Sequence, residues 1–179
     1  ELQVFSEGQY LELDVNTRRN LELTETMRTK EKKGSLLWVL DRTKTSPGAR
    51  MLRRWVAMPL RVKERIERRH DVVEAILKDN DVAEALRREI ASIGDVERMA
   101  SRIAAGRILP RELVQLKSSL SAMEMLKALL DSTSLEALHA ISAQIDPLTE
   151  LRDMLATTIY PDPANNQIQK GGVIADGVS

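Results

Sequence analysis

The sequence predicts an all-α protein: an irregular multi-helix bundle with one short N-terminal strand and an extended C-terminal tail. Three observations carry this. Apolar residues recur at three- and four-residue steps in run after run, with caps, glycines or prolines between them. Strict alternation is confined to residues 9–15 (QYLELDV), where Leu11, Leu13 and Val15 oppose Tyr10, Glu12 and Asp14. Residues 161–179 hold two prolines and three glycines and have no helical period.

Composition narrows the class. With 179 residues, 42% hydrophobic and 30% charged, the chain can bury a sizeable core. Residues 1–179 are therefore read as one domain, with irregular ends at 1–9 and 161–179. No cysteine is present, so disulfides and thiolate metal sites are excluded. His70 and His139 are too far apart in sequence for a helical ligand pair. No signal peptide and no apolar run near eighteen residues is present, so no membrane partner is expected. The first residue is not Met, which suggests an excised piece of a longer protein.

A formal net charge of zero hides an asymmetry. Residues 28–69 carry fourteen Lys or Arg against four Asp or Glu, so the remainder is correspondingly acidic. Such a segment can face phosphate through counterion release, or pair with acidic helices folded against it. Aromatic interleaving for single-strand stacking is missing.

Taken in order, Asn16 or Thr17 should cap a helix over residues 17–27, with Leu21 and Leu23 turned inward. Residues 28–34 (RTKEKKG) form a charged loop. Ser35 can cap a short helix bearing Leu36, Leu37, Val39 and Leu40, and Thr43, Thr45, Ser46, Pro47 and Gly48 interrupt it. A second helix follows, with Met51, Leu52, Trp55 and Val56 on one face, stopped by Pro59. Both tryptophans, Trp38 and Trp55, fall in this unit of a chain only 3% aromatic, which predicts a core knot there.

A helix over 62–78 places Ile66, Val73, Ile76 and Leu77 inward. The next, begun at residues 79–81, uses Val82, Leu86, Ile90 and Ile93 and ends at Gly94. Asp95 caps a further helix closed by Gly106. The longest run, 110–131, spans about 33 Å, with Leu113, Leu116, Leu120, Met123, Leu126 and Leu130 as a narrow bundle-core stripe. Helices near 134–145 and 147–160 follow. Ser134 is the candidate cap of the first, over Leu135, Leu138, Ile141 and Ile145, and Pro147 falls in the first turn of the second.

Three of these stretches carry a resemblance. GSLLWVLDRTKTSPGARMLRRWVAMPL (34–60) resembles the core-domain signature of the MutS family of DNA mismatch-repair proteins through Gly34, Ser35, Leu36, Leu40, Asp41, Thr43, Thr45, Gly48, Arg50, Leu52, Trp55, Pro59 and Leu60. The departure at Ser46-Pro47 keeps the turn chemistry. YLELDVNTRRNLEL, at the expected distance upstream, is similar through Thr17, Arg18, Arg19, Asn20, Leu21, Glu22 and Leu23. GDVERMASRIAAGRILPREL matches through Gly94, Asp95, Glu97, Arg98, Arg102, Pro110, Arg111 and Leu113, and the tail through Gly171, Gly172, Ile174 and Gly177.

The resemblance implies the N-terminal half of an α-helical core, or lever, domain, cut before the clamp. In that family the region relays changes between a C-terminal ATPase and the DNA-gripping parts. It implies a cytoplasmic parent, nucleoid-associated when on DNA, that binds mispaired double-stranded DNA as a dimer, uses ATP and Mg, and recruits MutL. The motif positions Asn20, Asp41, Thr43, Thr45, Gly48, Arg50 and Trp55 are the candidate site residues, read as caps, turns and packing.

No Gly-Lys-Ser/Thr phosphate loop, nucleophilic triad or metal-ligand cluster has sensible spacing, so no catalytic, cofactor-binding or metal residue is assigned and no enzyme is expected. Asp79/Asp81 and Asp162 with Glu150 read as caps and surface charge. Two rivals remain: a self-contained helical interaction module that docks acidic proteins through residues 28–69, and direct duplex binding by that segment. Lacking its second half, the domain is expected to leave an apolar face uncovered and to self-associate.

Overall fold

Caps and short polar breaks chop the chain into nine helices among the residues that the computed structural model describes, 8–163 and 171–178. The chain divides into two compact units, Glu1–Glu74 and Ala75–Ser179. The architecture is all-α: among the described residues the only β pairing is two isolated antiparallel bridges.

In the first unit the expected strand over 9–15 reduces to one of these bridges, Tyr10 with Leu60. The Leu11 N–H donates to Pro59 O (2.8 Å), and the Arg61 N–H donates to Gln9 O (3.0 Å). Pro59 has no N–H to offer, and a helix begins at Lys63, so the ladder goes no further.

Helix α1 (Val15–Asn20) is capped by Asp14, whose Oδ1 accepts from Thr17 N at 2.7 Å. It is shorter than the expected 17–27 helix, and neither Asn16 nor Thr17 is its cap. Glu22 takes a positive φ of 47°, which ends the helix and lets Leu23 turn into the interior.

Helix α2 (Leu36–Leu40) has Ser35 as its cap, as expected. Helix α3 (Ser46–Ala57) is capped by Thr45, whose Oγ1 accepts from Gly48 N at 3.1 Å. Ser46, Pro47 and Gly48 thus form the first turn of α3 rather than a break before it. Proline is tolerated there because the first-turn N–H groups have no intrahelical partner. The expected tryptophan knot is absent: Trp38 is 47% exposed and Trp55 40%, while the buried residues nearby are Leu23, Ser35 and Leu37. Short α2 can bury only one of its five side chains, and α3 buries none fully.

Helix α4 (Lys63–Lys78) turns Ile66, Val72, Ala75 and Ile76 inward, leaving Val73 and Leu77 exposed. The small Ala75, not the larger Leu77, marks the covered side.

The second unit is organised by α7 (Pro110–Ser132), onto which α5 (Asn80–Ser92), α6 (Val96–Ala104), α8 (Glu136–Ser142) and α9 (Thr149–Thr158) all pack. Leu120, fully buried, sits with Met99, Leu116, Leu155 and Ile159 at the centre. Leu116, Leu120 and Leu130 of the expected stripe are buried, and Leu113 and Met123 pack against that centre. Ser119 and Ala122 are buried as well, because a helix covered on several sides has no single apolar stripe.

Asp79 and Asp95 cap α5 and α6 through Val82 N (3.0 Å) and Arg98 N (3.1 Å). Gly106, at φ 64°, closes α6. In α5, Ala83 and Leu86 are buried, whereas Ile90 lies 38% exposed. Helix α8 starts after Leu135 rather than at Ser134, and Ile141 stays exposed while Leu138 is buried. Pro147 lies outside α9. Leu148 takes a left-handed φ of 48°, with its N–H held by Asp146 Oδ1 at 3.0 Å, so the chain can turn sharply before Thr149.

The described tail residues, 171–178, form no helix, but they are not extended throughout: Gly171, Gly172 and Gly177 take positive φ, and the chain turns at Asp176 and Gly177. They are tied back by the Ile159–Ile174 bridge, Tyr160 N to Val173 O (3.0 Å) and Ala175 N to Thr158 O (2.9 Å). The Tyr160 hydroxyl, hydrogen-bonded to Asp176, has its pKa raised above the ordinary phenol value. The remaining residues of the irregular ends, 1–7, 164–170 and 179, lie outside the described set.

Candidate functional site

Two backbone hydrogen bonds at the start of α2 join the first two sequence motifs. A helix leaves its first N–H groups without intrahelical acceptors. In α2 these are met from outside: Leu36 N donates to Glu22 O (3.0 Å), Leu37 N to Leu23 O (2.9 Å) and Trp38 N to Ser35 Oγ (3.2 Å). Ser35 is fully buried and its Oγ also donates to Lys32 O at 2.7 Å. The positive-φ turn at Glu22 therefore has a purpose: it aims two carbonyls at the start of α2. The Glu22 carboxylate in turn accepts from Met27 N (2.6 Å).

Asp41 follows α2 directly. Its Oδ2 accepts from Lys32 Nζ (2.5 Å), and its Oδ1 accepts from Thr43 Oγ1 (2.7 Å) and Thr43 N (3.1 Å). The Lys32 ammonium, then the Thr43 hydroxyl and amide, hold its pKa down at about 2. A carboxylate so fixed stays ionised near neutrality and exchanges no proton there; its chemistry is to clamp the turn that aims α3. Two residues past Thr43, Thr45 caps α3. Gly48 leaves room for that cap: a Cβ there would stand 3.0 Å from Thr45 Oγ1.

Of the motif residues, Asp41, Thr43, Thr45 and Gly48 thus form one turn. Arg50 is exposed on α3 just beyond it. Asn20 is exposed at the end of α1 and takes no part in the Asp41 turn. Trp55 lies further along α3, where the Arg69 guanidinium sits over its ring, 3.5 Å from the centroid. Partial burial lowers the Arg69 pKa. Lys32–Asp41 and Lys63–Glu67 (3.4 Å) are ion pairs made within the basic segment itself.

In the second unit the third motif closes on itself. Glu112 accepts from Leu109 N (2.9 Å) through one oxygen and from Arg102 Nη1 (2.6 Å) through the other, tying α6 to the start of α7. Gly94 N donates to buried Ser119 Oγ at 2.9 Å, and a Cβ on Gly94 would meet Gln115, Ser119 and Met99 at 3.0–3.2 Å. Sequence reasoning missed Glu112 and Ser119. The signal for the first was a Glu three residues into a helix whose cap position cannot cap through its side chain; for Ser119 there was none. A further polar knot joins α7 and α8: Lys127 Nζ donates to Ser142 O (2.9 Å), and Ser142 Oγ donates to Asp131 Oδ1 (2.5 Å).

Among the described residues, no group of three His, Cys, Asp or Glu side chains is placed to hold a metal ion, and no helix is long and apolar enough to cross a membrane.

These interlocks fall inside one family match. Residues 16–176 fit the family model described as MutS domain III. The chain belongs to the MutS domain III family. It is 42% identical over 177 residues to a DNA mismatch repair protein MutS of Clostridium novyi, which covers 99% of this chain and 19% of that protein. It is 41% identical over 180 residues to MutS proteins of Bacillus thuringiensis and Bacillus cereus, covering 98% of this chain and 20% of each. The chain thus spans about a fifth of the length of the curated relatives it matches.

Proposed function

We propose that this MutS domain III is a structural and coupling segment of a DNA mismatch-repair protein. It relays the state of an ATPase elsewhere in the longer protein to the parts that clamp DNA, and does no chemistry of its own. The observation that carries this is α7, a 23-residue helix packed by four others and cross-linked through Gly94–Ser119, Arg102–Glu112 and the Lys127–Ser142 knot. Such a rod moves as a body, which is what force transmission through packed helices requires. The names of its relatives support the repair context.

On this reading the longer protein binds mispaired double-stranded DNA as a dimer, takes ATP and Mg, and meets MutL in the cytoplasm or on the nucleoid. The chain itself holds no cofactor and hydrolyses nothing.

The test is a chimera in which this segment replaces its counterpart in the Clostridium novyi MutS. Ser119→Ala, which frees a Gly94 N–H inside the rod, should leave ATP hydrolysis without DNA and affinity for mismatched duplex within about twofold. It should weaken ATP-triggered release from that duplex by at least about fivefold. Unchanged release with a measurably loosened segment would overturn the relay.

A further inference from the structure

We infer that the α2–α3 surface is a docking site for an acidic, amphipathic polypeptide segment. This goes beyond the relay role and does not depend on it, because it concerns what covers one face of the first unit.

The first observation is apolar exposure. Helix α2 buries only Leu37; Leu36, Trp38, Val39 and Leu40 are all exposed. α3 packs on α2 and adds Met51 and Trp55, one helical turn apart on a common face. Six exposed large apolar side chains on two packed helices exceed the scatter of single residues that soluble surfaces tolerate, and Trp and Met are the types favoured where proteins meet.

The second observation is charge. Arg42 and Lys44 in the α2–α3 turn are exposed, within a segment of fourteen basic and four acidic residues. Together the two observations select the occupant. Duplex DNA would set phosphates against aliphatic side chains that offer no donor. A second copy meeting the same face would bring a similarly basic segment against this one. A polypeptide with an apolar face flanked by carboxylates satisfies both features, and an amphipathic helix is the simplest such segment.

The test uses fluorescence anisotropy with three labelled peptides of about 18 residues, long enough for five helical turns. One carries leucines on one helical face and glutamates on the other. The second replaces the glutamates with lysines, and the third scrambles the first. The acidic amphipathic peptide should bind at least about tenfold tighter than either control. Val39→Ser with Met51→Ser should weaken it about tenfold with unchanged circular dichroism, as should Arg42→Glu with Lys44→Glu. Equal binding of the scrambled peptide would overturn the proposal, showing charge alone. So would equal binding of the basic peptide, or undiminished binding by the well-folded serine variant. Sedimentation completes the test. Association that grows with concentration and disappears in the serine variant would assign the face to a second copy and refute the acidic partner.

Discussion

The α7 hub makes its sharpest prediction at Leu120. This side chain is fully buried among Met99, Leu116, Leu155 and Ile159. Leu120→Ala removes three carbons, worth about 2.4 kcal/mol at ~0.8 kcal/mol per buried carbon. The neighbours are contributed by α6, by α7 itself, by α9 and by the residue that ends α9, and cross-links such as Gly94–Ser119 and Arg102–Glu112 restrain their collapse. A residual cavity of roughly 60 Å³ at ~24 cal/mol per Å³ adds about 1.4 kcal/mol. The expected loss is therefore about 3–4 kcal/mol. Urea unfolding followed by circular dichroism at 222 nm measures it, with Met125→Ala, on the same helix but 60% exposed, as a control expected to lose under ~0.5 kcal/mol. A Leu120→Ala loss below about 1 kcal/mol with an unchanged m-value would place the centre of the second unit elsewhere.

Ser119→Ala should cost about 1–3 kcal/mol by stranding the Gly94 N–H, read by the same unfolding experiment. Thr45→Ala should remove the α3 cap and destabilise the start of that helix by about 1 kcal/mol; hydrogen exchange at the Gly48 and Ala49 amides, faster in the variant, reports it. Asp41 has a folded pKa below its ordinary value of 3.8, at about 2. Its contribution is therefore complete above about pH 4 and is lost as pH falls toward 2; carboxyl NMR should show that midpoint, and Asp41→Asn should remove this part of the acid sensitivity. Both indoles should be quenched by iodide more strongly than by caesium, because they stand exposed in a basic segment, and Arg69→Ala should narrow that difference.

What the sequence showed well was local chemistry. Ser35, Asp79 and Asp95 cap the helices they were expected to cap, and Gly106 ends α6, because these residues act through hydrogen bonds within three or four positions. Asp41, Thr43, Thr45 and Gly48 were legible as a turn for the same reason, although Ser46–Gly48 proved to be helix. What it hid was which side of a helix is covered. The period in α4 is compatible with Leu77 or Ala75 facing inward, and only the packing chooses Ala75. The tryptophans were assigned to a core because large rings usually bury, yet α2 is too short to enclose Trp38. Long-range links, such as Glu22 and Leu23 to α2 or Ser119 to Gly94, left no pattern in the sequence at all.

A body of packed helices that carries force reads no bases. The most direct measurement is the affinity of this chain alone for matched and mismatched duplexes, by gel shift at two salt concentrations. Weak binding at most is expected, reduced by salt and equal for the two duplexes within about twofold. A preference for the mismatch of tenfold or more, persisting at the higher salt, would contradict it.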